Sequence, residues 1–330
     1  MTRNRLVFSQ PYLEFLLPLL SAVMFIPILF NADIISVGDT LKIIGNLPFK
    51  GDYFNSGGVI YAICTFSTLL LSWALNNLIN NHDLLYKTNY LPSLLAVIYT
   101  AVIVYSEGLS MALISIPFIL LSLASLLNSL GELGRLSSVF NSGFFLGLAI
   151  LLDSYAMAAT PIYLGALILL RPIEFRGVFV FLCGVINIIL VIVLMEVICR
   201  GELPQVKDWI SFYPSGQIQN APLVSWILIA NYSFLSILGL ICLPSYLGGM
   251  GNKAKEKGRL LLISFFILQL FVSVFGHRYS QDWSFFYFVP NVVYFSVLAY
   301  LSISNKYLIA LLNTCHLILI GIIVYHLDTN

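Results

Sequence analysis

The chain has 330 residues, of which 59% are hydrophobic and 9% charged, with a net charge of +1. Soluble domains carry about 25% charged residues, so this composition cannot coat a water-facing surface, and near-neutrality argues against nucleic acid as a partner because that binding needs a basic face. A mean hydropathy of +0.94 points instead to an all-α, polytopic transmembrane bundle dissolved in hydrocarbon.

A membrane-crossing helix needs about 20 apolar residues. On that criterion the whole chain reads as a single transmembrane domain of about eleven spans. They fall near 12–31, 57–80, 88–105, 109–128, 136–152, 154–171, 177–199, 223–246, 259–276, 283–303 and 307–326. The first run exceeds the ~7–15 residues of a signal-peptide core and no small-x-small cleavage site follows it, so it reads as a retained span. The segment 136–171 would exceed 50 Å as one helix at about 1.5 Å per residue, and Asp153-Ser154 supplies a polar turn that divides it into a hairpin.

Orientation follows from the cations. With the N-terminus inside, the inner segments hold Arg3, Arg5, Lys87, Arg135, Arg171, Arg176, Lys253, Lys255, Lys257, Arg259 and Lys306, and the outer ones Lys42, Lys50, Arg200, Lys207 and Arg278. Inner loops of membrane proteins are enriched in Lys and Arg, and this arrangement obeys that bias. The Lys-Gly-rich stretch 247–258 is a candidate hinge between an eight-span block and a final three-span block. Two outer loops, 31–55 and 200–222, are long enough to carry function.

Candidate chemistry clusters at that outer boundary. Asp33, Asp39 and Asp52 lie in the first outer loop, where a carboxylate can take a proton from an acceptor hydroxyl or simply sit solvated beyond a helix end. The loop GHRYSQDW, residues 276–283, places His277, Arg278 and Tyr279 at headgroup level. Arg278 there can hold a phosphate bidentately, and an interfacial anchor belt is the alternative. Arg200 and Lys207 in the second loop are further cations, and Trp209, Phe212 and Tyr213 ahead of Pro214 read as a short surface helix.

Deep ionisable groups are few. Glu14 and Glu196 sit near span ends, and His316 lies mid-span, where a neutral, hydrogen-bonded structural role is the simpler reading. The scarcity of mid-membrane acids weighs against an ion-coupled transporter. Cys64, Cys183, Cys199, Cys242 and Cys315 are widely spaced, with no metal or disulfide pattern. Soluble-type hydrolase, protease, nucleotidase and redox motifs are absent from the sequence. No cofactor is implied, and no divalent metal is indicated.

One resemblance carries further. Residues 142–153, SGFFLGLAILLD, with Pro161 and then Arg171-Pro172 closing the next span, look like the middle of GT-C membrane glycosyltransferases, and Arg278-Tyr279 followed by Pro290 and Ala299 is similar to the start of a late span in their polyprenyl-phosphate-sugar-using members. The chain also resembles bacterial multi-pass cell-envelope proteins. The GT-C resemblance implies sugar transfer from a polyprenyl phosphate donor at the outer face of the bacterial inner membrane. It assigns the base to Asp33, with Asp39 or Asp52 as substitutes, and the phosphate contacts to Arg278, with Arg200 as a second cation. Gly-x-x-x-Gly is equally a device for close helix packing. The alternatives are a non-catalytic subunit of an inner-membrane envelope-biogenesis or secretion assembly, and a transporter or lipid flippase. Membrane lipid is the partner common to all.

Overall fold

The computed structural model describes residues 12–30, 57–81, 89–131, 136–153, 156–157, 159–170, 175–200, 223–247, 264, 285–303 and 305–329. Among them the backbone is helical almost throughout. The helices are α1 (Tyr12–Phe30), α2 (Gly57–Asn81), α3 (Leu91–Glu107), α4 (Met111–Gly131), α5 (Leu136–Leu152), α6 (Ala159–Leu170), α7 (Phe175–Arg200), α8 (Leu223–Leu247), α9 (Val289–Ser302) and α10 (Lys306–Thr329). One turn of 3-10 helix, Phe285–Phe288, leads into α9. Three of them, α2, α4 and α10, contain stretches long and apolar enough to cross a membrane, at Gly57–Asn81, Met111–Ser129 and Lys306–Tyr325. The expected span 259–276 and the expected hinge at 247–258 lie outside the described residues, apart from Leu247, which ends α8, and Ser264.

Local chemistry explains several boundaries. Pro92 and Pro290 stand in the first turns of α3 and α9, where a missing N–H costs nothing. Gly108 ends α3 with φ 92° and donates its N–H to the Val104 carbonyl at 3.0 Å, a left-handed position that glycine adopts without Cβ strain. The chain leaves helix at Asp153, whose N–H still bonds Ala149 O at 2.9 Å, so 136–171 does divide into two helices. Between α2 and α3, Asn80 acts as a clasp. Its Nδ2 donates to Asn89 O and its Oδ1 accepts from Asn89 N, each at 3.1 Å.

Contacts divide the chain into two compact units. The first, Met1–Leu113, Ile218–Gly258 and Phe285–Asn330, holds α1, α2, α3, α8, α9 and α10. Helices α3 and α9 form its centre. Every residue from Val289 to Ala299 is buried, and so is the run Tyr99 to Tyr105 of α3. A helix buried all round has no amphipathic stripe, which is why α9 reads as featureless apolar sequence. Helix α8 approaches α9 through Gly239, where an added Cβ would stand 2.6 Å from the Phe295 Cα and 2.7 Å from its Cδ1. On the other side, Tyr105 Oη donates to Met24 O of α1 at 2.6 Å.

The second unit, Ile114–Gln217 and Arg259–Ser284, is built on the α5–α7 pair. A Cβ added to Gly143 would collide with the Phe181 carbonyl oxygen, and one added to Gly184 with the Phe140 carbonyl oxygen. Gly147 faces Val185 O, 3.0 Å from its own added Cβ. The two backbones are therefore in direct contact along two turns. Tyr163 of α6 stacks on Phe181 at 6.0 Å and donates its hydroxyl to Ile119 O of α4 at 2.9 Å. Ser122 of α4 donates to Ser142 O of α5 at 2.7 Å.

Candidate functional site

Polar side chains in the first unit converge on one buried place between α3, α8, α9 and α10. Burial of a polar group in an apolar bundle costs free energy unless hydrogen bonds replace water, so such a cluster must be internally paired. Its centre is His316 of α10, 7% exposed. Nδ1 lies 2.7 Å from Leu312 O. A carbonyl can only accept, so Nδ1 carries the proton, and in a neutral ring Nε2 is the acceptor. Tyr99 of α3 meets that nitrogen at 2.8 Å with its hydroxyl, which therefore donates. Ser296 of α9, 3.0 Å from the same phenol oxygen, then supplies the bond that Tyr99 accepts.

The periphery of the cluster closes it. Tyr300 Oη donates to Asn313 Oδ1 at 2.8 Å and lies 3.3 Å from His316 Nδ1. Asn231 of α8 donates through Nδ2 to Cys315 O at 3.2 Å. Tyr232 sets its ring edge-on to Tyr99 at 5.5 Å. Four helices are thus joined at one level by hydrogen bonds and ring contacts. Asn231 Oδ1, Ser236 Oγ and Thr100 Oγ1 have no hydrogen-bond partner among the described residues although all are buried.

Chemically, a neutral imidazole with both nitrogens engaged is a structural crosslink, and it offers no free lone pair to a substrate. A groove of about 250 Å³ lies elsewhere, lined by Leu16, Leu17, Leu19, Leu20 and Val23 of α1 with Tyr90 and Leu94. Its walls suit an acyl chain and are almost wholly apolar. Among the described residues no group of three or more His, Cys, Asp or Glu converges as metal ligands would.

Asp33, Asp39, Asp52, His277, Arg278 and Tyr279 lie outside the described residues, and Arg200 is placed only as the last residue of α7. Of the segments behind the GT-C resemblance, Gly143 and Gly147 have a structural role, since both line the α5–α7 contact. Pro290 opens α9, and Ala299 is fully buried, its carbonyl accepting the Ile303 N–H at 2.9 Å. Comparison with known protein families, with curated proteins and with solved structures returns no match for this chain.

The Tyr99–His316–Ser296 cluster is not visible in the sequence except for His316 itself. A partial signal exists, because Ser296 and Tyr300 are four apart and Asn313 and His316 three apart, which puts each pair on one helix face. Nothing in the order of residues says that those faces meet.

Proposed function

We propose that this chain is a multi-pass integral membrane protein of a bacterial inner membrane, working at its outer face. One observation supports the membrane reading above others. The outward faces of the helices carry large apolar side chains, with Phe66, Trp73, Phe179, Ile198, Ile241 and Leu317 each more than half exposed, while Tyr99, Ser296 and His316 are buried. Exposed apolar area on this scale favours a lipid-facing surface over a water-facing one. The eleven-span count and the inside N-terminus rest on hydropathy and on the distribution of Lys and Arg.

The catalytic extension rests on the resemblance to GT-C enzymes alone. In that reading Asp33, or Asp39 or Asp52 in its place, deprotonates an acceptor hydroxyl, while Arg278 with His277 and Tyr279, and Arg200, hold the phosphate of a polyprenyl-phosphate sugar and stabilise the leaving charge. A second reading, a non-catalytic subunit of an envelope assembly, is favoured by the α5–α7 contact, which accounts for Gly143 and Gly147 without any chemistry. Membranes containing the chain, supplied with radiolabelled polyprenyl-phosphate sugars, separate the two. The enzyme reading expects sugar transfer that Asp33→Asn, Asp39→Asn or Asp52→Asn abolishes in a protein that still folds; transfer unaffected by all three removes it.

A further inference from the structure

We draw no further inference here: the strongest candidate, the apolar groove along α1 lined by Leu16, Leu19, Leu20, Val23, Tyr90 and Leu94, carries nothing, because nothing among the described residues shows what covers it.

Discussion

The α5–α7 contact yields the sharpest prediction, because two effects on one substitution have opposite signs. Replacing glycine by alanine inside a helix should stabilise by up to ~1 kcal/mol on propensity alone. At Gly143 the new methyl group collides with the Phe181 carbonyl oxygen and lies 3.0 Å from its carbon and 3.3 Å from the Gly184 Cα. All three are backbone atoms, so no rotamer change relieves them. Ordinary carbon contacts stand at about 3.5–4.0 Å, so α5 and α7 must part by about 1 Å, a gap that already forfeits a quarter to a half of each pairwise attraction. Overpacking of this kind costs about 1–3 kcal/mol. Net of propensity, Gly143→Ala should destabilise by about 1–2 kcal/mol. Gly184→Ala, whose Cβ meets Phe144 N at 2.8 Å and the Phe140 carbonyl oxygen, should do the same. Gly165→Ala and Gly177→Ala meet nothing within 4 Å and should be neutral or slightly stabilising. The double variant at positions 143 and 184 should cost less than the sum, since helices once parted accommodate both methyls. Reversible unfolding in mixed micelles titrated with denaturing detergent measures all five. Equal stabilities for Gly143→Ala and Gly165→Ala would refute the packing argument.

Tyr99→Phe should destabilise by about 1–3 kcal/mol, because it leaves His316 Nε2 buried without a donor, whereas Ser296→Ala should cost about 1 kcal/mol. The two together should be non-additive in the same unfolding assay, as both act on one chain of hydrogen bonds. Asn80→Ala removes both bonds to the Asn89 backbone, so hydrogen exchange at the Asn89 amide should accelerate about twofold to tenfold, the equivalent of one lost hydrogen bond, while exchange at the Tyr99 amide, inside α3, stays slow. An unchanged Asn89 amide would show that Asn80 is not a clasp. Tyr105→Phe, which loses the bond to Met24 O, should lower stability by about 1 kcal/mol.

The placement of the described helices is largely legible in the sequence because apolar runs alternate with polar breaks. The run 136–152 coincides with α5, and Asp153 ends it as its polar character requires. The run 283–303 reads as one span, but the chain enters it through 3-10 helix at Phe285–Phe288 before Pro290 allows α9 to begin. What order alone does not give is partnership. Tyr99 looks like one aromatic among 18 tyrosines, and only tertiary packing shows that it joins α3 to α9 and α10. Gly143 and Gly147 illustrate the converse. Their spacing is visible and open to two explanations, and the steric contact with Phe181 and Val185 supplies one of them. Asp33, Asp39, Asp52 and Arg278 stand out in the sequence for their chemistry, and they lie outside the described residues.

Everything proposed for this chain depends on α2 crossing a bilayer, since its exposed face carries Phe66 and Trp73 and its two ends must then open on different compartments. Single cysteines at Ser56 and Asn81, in a chain whose native cysteines are replaced, can be labelled in sealed right-side-out vesicles with an impermeant maleimide. The account predicts labelling of Ser56→Cys from outside and of Asn81→Cys only after permeabilisation. Labelling of both from the same side would contradict it.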